Sequence, residues 1–184
     1  AKYGSMPENL HQMPLGYMAG MLQGTSSIDR NDIKNMQSRN YDWSFIGTLK
    51  QDRSKMIKTF SRLLSKNYVS HQDSAQHPFE IYKDSVFVPN GRGFVVLDCF
   101  RLYEASLAGA IPVVVGSESE IAETFKFDGE LPPWIFERDW KTAVARCVEL
   151  LSTPDILQTM QERNLAWWKD QMMNMRQTIA AALR

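Results

Sequence analysis

Between Phe87 and Val115 the chain reads FVPNGRGFVVLDCFRLYEASLAGAIPVVV, and four side chains fit for acid, base or anion chemistry lie between two apolar runs: Arg92, Asp98, Arg101 and Glu104. The loop after the first run carries Gly91 and Gly93, which let a backbone approach a ligand closely. Asp98 is placed to cap the following helix, whose exposed amides and positive dipole end favour an anion, most commonly a phosphate. Arg101 falls in the first helical turn, so its guanidinium and that of Arg92 are expected on one phosphate. Glu104, three residues on, shares the Arg101 face one turn deeper, where a carboxylate can accept hydrogen bonds from the hydroxyls of a ribose. The set suits a nucleoside diphosphate better than a bare phosphate. On spacing alone the alternative is an ordinary i,i+3 ion pair on a solvated face, contributing about 0.2–0.5 kcal/mol, and the loop is neither a P-loop nor a G-x-G-x-x-G fingerprint.

The elements around these residues alternate in type. YDWSFIG, from Tyr41, is an aromatic, apolar strand that stops at a glycine. Arg53 to Lys66 places Met56, Ile57, Phe60, Leu63 and Leu64 at helical spacing, so strand, turn and helix make the first half of a βαβ unit. NYVSHQ is a weaker second strand, HPFEIYKDS a turn or two of helix, Val86 to Val88 a further strand and IPVVVG another. Asp139 to Leu151 is an amphipathic helix. Thr153 and Pro154 open a last one, with a capping hydroxyl and a proline at the first helical position. That helix runs to about 30 residues, roughly 45 Å, and its far end is expected to pack on something beyond the domain. The order predicts an α/β fold with a doubly wound, Rossmann-like parallel sheet flanked by helices and ending in a long helix. Residues 1–40 read as an irregular arm or linker and residues 41–184 as the folded domain.

Composition bounds the function. The 184 residues carry 21 basic and 21 acidic side chains, a formal net charge of zero, so no electrostatic footprint for nucleic acid or a membrane surface is expected. No apolar run approaches the roughly 20 residues that a bilayer span needs, and no signal peptide is read at Ala1. Cys99 and Cys147 lack C-x-x-C spacing and read as buried free thiols. His11, His71 and His77 have no partners at metal-ligand spacing, and SIDRND lacks the D-x-D pattern of a metal-dependent nucleotide-sugar site. Neighbouring Trp167 and Trp168 cannot share one helix face, so at least one is expected to pack back on the domain, and the methionines of DQMMNMRQ read as an adaptable packing surface.

The central stretch resembles the signature of the exostosin-type glycosyltransferases: a strand ending in proline, a Gly/Arg loop, an R-h-x-E-A helix (h apolar), a glycine and an apolar strand containing I-P-V. YDWSFIGTLKQDR, GELPPWIFERDW and MQERNLAWWKD are similar to other segments of that family, and the resemblance covers roughly Pro14 to the C-terminus. It implies the nucleotide-sugar-binding half of a two-lobed (GT-B) hexosyl- or pentosyltransferase. Carried across, Arg101 would bind the diphosphate and Glu104 the ribose, with Arg92 and the Gly91–Gly93 backbone closing over the phosphates and Asp98 capping the helix beneath them. Gly47 to Arg53 would form a second loop facing the cleft, with Arg53 a phosphate contact. Ser117, Glu118 and Ser119 would lie near the transferred sugar. The partners implied are a nucleotide-diphosphate sugar, a glycan or other hydroxyl acceptor, and an N-terminal lobe or partner chain. No metal or other cofactor is expected, because arginine and helix-dipole charge can stabilise the leaving diphosphate. On that resemblance the acceptor-binding lobe that usually precedes this half is expected to be missing or reduced to the first 40 residues, and with it the usual source of the catalytic base. A Golgi or ER lumen location follows if the chain is eukaryotic and anchored upstream, and a cytoplasmic one otherwise. Two other readings remain: a non-catalytic, glycosyltransferase-like scaffold acting through its long helix, and a generic doubly wound small-ligand domain.

Overall fold

A computed structural model of the chain describes residues 13–18, 21, 32–50, 52–71, 78–93, 96–127 and 130–183. Its elements are β1 (Tyr41–Ile46), α1 (Arg53–Leu63), β2 (Asn67–Ser70), α2 (Pro78–Lys83), β3 (Ser85–Asn90), α3 (Phe100–Leu107), β4 (Ile111–Val115), α4 (Glu118–Phe125), β5 (Ile135–Glu137), α5 (Trp140–Leu151) and α6 (Pro154–Ala182). The five strands form one parallel sheet in the order β2-β1-β3-β4-β5. The chain starts in the middle, moves outward to β2, then returns past β1 to build β3, β4 and β5. The direction of winding therefore reverses between β1 and β3, and in open α/β sheets that reversal opens a crevice beyond the carboxyl ends of the two strands. The α/β, Rossmann-like architecture expected from the sequence is the one found.

Alternation along the strands supplies both faces of the sheet. Trp43, Phe45, Phe87 and Val113 meet Met56 and Phe60 of α1 and Val144, Cys147 and Leu150 of α5 on one side. Val88 and Val114 meet Tyr82, Leu102, Phe125 and Trp168 from α2, α3, α4 and α6 on the other. All six residues of β3 are buried, as a central strand covered on both faces requires. Ahead of β1, Arg39 lies buried and donates to the carbonyls of Lys34, Tyr82, Ser85 and Ala108, which ties the approach to β1 into the α2–β3 and α3–β4 connections. Burial pulls its guanidinium down to about 10, against an opposing pull from Asp84.

Helix α6 spans 29 residues, about 43 Å at 1.5 Å per residue. Leu157, Gln161, Asn164, Trp168 and Gln171 form its buried stripe. Gln161 and Asn164 donate to the carbonyls of Gly109 and Ala110, satisfying the backbone of the α3–β4 turn. Both tryptophans pack back on the domain: Trp168 lies 5.2 Å from Tyr103 and Trp167 lies 5.2 Å from Trp134, ring centre to ring centre. Past Gln171, Met172 and Met175 still touch the core, whereas Met173, Ile179 and Leu183 are exposed. Three local expectations need correction. The hydroxyl of Thr153 does not cap α6 but donates backwards to the carbonyl of Leu150 at 3.1 Å. Cys147 is buried, but Cys99 is only half buried. Helix α4 and the three-residue strand β5 are additions that the sequence reading had not separated from the loops around them. His11, His77 and most of SIDRND lie outside the described residues. Among the described residues, no helix is long and apolar enough to cross a membrane.

Candidate functional site

The crevice at the β1/β3 reversal is organised by one arginine. The Nε of Arg101 donates to the carbonyl of Ile46, the last residue of β1, at 3.0 Å. Its Nη1 donates to Asn90 Oδ1, at the end of β3, at 2.8 Å. Asn90 is itself buried and fixed by donating to the carbonyl of Leu97 at 3.1 Å. The guanidinium lies 4.7 Å from the centre of the Phe45 ring, and Arg53 reaches the same ring at 5.8 Å. Two cations are thereby held near the end of one strand. Arg101 Nη2 takes no part in the bonds to Ile46 and Asn90, Tyr82 is a further hydrogen-bonding neighbour of the guanidinium, and the group borders a cavity of about 320 Å³. Gly47 makes room for it: its φ is +146°, and a Cβ there would stand 2.5 Å from Nη2.

Glu104 lines the same cavity one helical turn along. Its Oε1 accepts from the amide of Met18 at 3.3 Å. Burial pushes its carboxyl up, opposed by that amide and by the charge of Arg101. Arg101 and Glu104 are each only 7% exposed and form no ion pair with each other, so the reading of a solvated i,i+3 pair is set aside. Tyr82 and Cys99 complete the polar wall, while Met18, Met21, Pro78 and Phe100 make the rest apolar.

The other expected residues sit elsewhere. Asp98 is not the cap of α3: the chain is extended at Cys99, which occupies the cap position, so the helix begins one residue later. The Asp98 carboxyl is partly buried and raised by that burial, opposed by the neighbouring Tyr103 hydroxyl and the Cys99 amide. Arg92 does not point at the Arg101 cavity. Its guanidinium forms a two-pronged ion pair with Glu120 of α4, and its amide donates to Asp52 Oδ1 at 2.9 Å. Asp52 also accepts from Trp140 Nε1 at 2.8 Å, so one carboxylate joins the β3–α3 loop to α5. Gly91 is needed for packing: a Cβ there would lie 2.5 Å from Arg53 Cγ. Gly93 closes the turn by donating to the carbonyl of Val96 at 3.2 Å. Arg53 is buried and donates from Nη1 to the carbonyl of Thr48 at 2.8 Å.

At the ends of β4 and β5 lies a second cavity, of about 280 Å³, bordered by Glu118 and Arg138. Those two form an exposed ion pair at 2.6 Å. Ser117 caps α4 by accepting from the amide of Glu120, and Ser119 Oγ lies 3.3 Å from its hydroxyl. The structure thus brings Gly47, Arg101 and Glu104 together at one cavity and places Ser117, Glu118 and Ser119 at or beside another. Asn90, Tyr82, Asp52 and Glu120 are hydrogen-bonding partners of Arg101 and Arg92 that the sequence alone did not reveal. Of these, Asn90 carried a usable signal, a polar residue closing a buried strand just ahead of a glycine loop. Among the described residues, no group of three or more His, Cys, Asp or Glu side chains is arranged to hold a metal ion.

Fold and site together define a doubly wound α/β domain with a guanidinium and a carboxylate at its topological switch point. No family model matches the chain, and no curated protein matches it.

Proposed function

We propose that this chain is the donor-binding half of a glycosyltransferase that moves a sugar from a nucleotide-diphosphate donor to a hydroxyl acceptor in glycan synthesis. The observation that carries this reading is the position of Arg101: it spans the carboxyl ends of β1 and β3 and borders the cavity that opens there. A diphosphate against Nη2 would have its developing charge met by a preorganised cation as the bond to the sugar breaks. Glu104, one turn deeper with Oε2 unused among the described residues, suits the two ribose hydroxyls. Arg92 would join the phosphates only by leaving Glu120. The general base is assigned to a partner lobe, in line with the resemblance to exostosin-type enzymes, and a lumenal location would accompany an upstream anchor.

A thermal-shift panel of UDP, GDP, their sugar conjugates and inorganic phosphate tests the reading. A ligand at 100 times its dissociation constant stabilises the fold by about 2.7 kcal/mol, so one nucleotide should raise the melting temperature where phosphate does not. Equal shifts with phosphate alone would favour a generic anion site. Exposed Met173, Ile179 and Leu183 on α6 favour a second reading, a non-catalytic module that docks on another polypeptide, which predicts no nucleotide response at all.

A further inference from the structure

The formal charge of the chain is zero, but its charges are not mixed evenly across the sheet. Helices α1 and α5, which pack side by side over one face, carry the exposed cations Lys55, Lys58, Arg62, Lys141 and Arg146 against a single acid, Glu149, which Arg146 holds at 2.7 Å. Helices α2, α3, α4 and α6 on the other face carry eight acids and five bases, and α4 has three glutamates and no cation. The balanced total that argued against a membrane surface averages over these two sides. Position along α1 concentrates the positive side further. Lys55, Lys58 and Arg62 stand at i, i+3 and i+7, within about 60° of arc on its outer surface. Helix α1 contains no acid, and none of the three cations takes part in an ion pair among the described residues. Like charges three and four residues apart repel, so the stripe weakens the helix that carries it. Leu63, beside Arg62, is 56% exposed, and Val148 on α5 is 42% exposed. The aromatic rings of the two helices, Phe60 and Trp140, are both buried.

We infer that the outer surface of α1, with the exposed side of α5 next to it, is an interaction surface for a bilayer carrying anionic lipids. A cationic helix face flanked by exposed aliphatic side chains lies flat on such a surface. The lysine and arginine heads reach lipid phosphates and carboxylates, while Leu63 and Val148 meet the apolar boundary beneath them. The acids of α4 lie across the sheet, so an anionic surface attracts one side of the domain and repels the other, which sets its orientation. A single strand of nucleic acid fits less well, because that mode of binding adds base stacking on exposed aromatic rings, and α1 and α5 expose none. The Arg101 cavity is lined from α2 and α3, on the opposite side of the sheet, and stays uncovered when α1 is docked. The inference therefore stands apart from the nucleotide reading.

The experiment sediments the full chain with vesicles of phosphatidylcholine alone and of phosphatidylcholine mixed with phosphatidylserine. Binding is expected to the mixed vesicles only, and should fall away as added salt shortens the Debye length from about 10 Å to about 3 Å. The triple variant Lys55→Glu, Lys58→Glu, Arg62→Glu, checked for folding by circular dichroism, should lose affinity by about a hundredfold. Glutamine at the same three positions removes charge without adding repulsion and should give a smaller loss in the same direction. Leu63→Ser should weaken binding at a given salt, whereas Arg163→Glu with Lys169→Glu on α6 should leave it unchanged. No binding to the mixed vesicles, equal binding to both kinds, wild-type affinity in a folded α1 variant, or a loss from the α6 pair as large as that from α1 overturns the inference. Retention of duplex DNA in place of the vesicles would assign the stripe to a nucleic acid and overturns it as well.

Discussion

Replacing Gly47 with alanine should damage both the fold and the site, by amounts that follow from two features of one residue. Its φ of +146° is rarely adopted by L side chains, and holding such a conformation costs about 1–3 kcal/mol. The new Cβ would stand 2.5 Å from Arg101 Nη2 and 3.6 Å from its Cζ, closer in the first case than any Cβ contact allows. The end of an arginine is ordinarily free to move aside, but this one is pinned by Ile46 and Asn90. Moving it weakens hydrogen bonds made by a charged group, each contributing about 1.5–3 kcal/mol. Strain and one weakened bond together come to about 3 kcal/mol or more, roughly 6–12 °C in melting temperature for a domain of this size. Calorimetry or urea unfolding measures it. In an Arg101→Met background the alanine meets no guanidinium and should cost the strain alone, so a double-mutant cycle isolates the contact. A Gly47→Ala melting temperature equal to wild type, or a cycle with no coupling, would refute the geometry on which the site rests.

Three further outcomes follow from the same contacts. Asn90→Ala removes the acceptor of Arg101 Nη1 and the donor to Leu97, and should destabilise by about 1.5–3 kcal/mol while weakening anion binding, measured by denaturation and titration. Trp168→Ala empties the centre of the cluster formed with Tyr103 and Trp167 and should cost about 3–5 kcal/mol, read from the urea midpoint, with far less effect on nucleotide affinity per folded molecule. Glu104 gives a pH signature: burial raises its carboxyl, so the folded state holds the proton more tightly than the unfolded state. Stability from this group is present below the ordinary carboxylate range and declines as pH rises through the raised value. Nucleotide affinity should strengthen over that same window, because the ionised carboxylate is the better acceptor for ribose, and Glu104→Gln should flatten both profiles.

What could be read from the sequence was whatever rests on local pattern. Strands β1, β3 and β4 declare themselves as short apolar runs, helices α1 and α5 through helical spacing of large apolar residues, and α6 through the proline that opens it. Helix α4 did not, because only Ile121 and Phe125 of its eight residues are buried and the rest read as a polar loop. Strand β5 has three residues, too few for a period to show. At the site, Arg101 and Glu104 could be named from spacing, and both line the cavity at the switch point. Their partners could not: Ile46 is 55 residues from Arg101, and Glu120 is 28 from Arg92. Such pairings depend on strand order, which brings the end of β1 beside the end of β3. The misplaced cap at Asp98 has a smaller cause, one extended residue at Cys99 that shifts the start of α3.

The central claim is that Arg101 and Glu104 form the diphosphate and ribose contacts of a nucleotide-sugar site. Isothermal titration of UDP and GDP into the wild-type chain, Arg101→Met and Glu104→Gln tests it most directly, with circular dichroism confirming that each variant is folded. Saturable binding of one nucleotide to the wild type, lost in the arginine variant and strongly weakened in the glutamine variant, is the expected result. No binding of either nucleotide to the wild-type chain, or unchanged affinity in either folded variant, would contradict it.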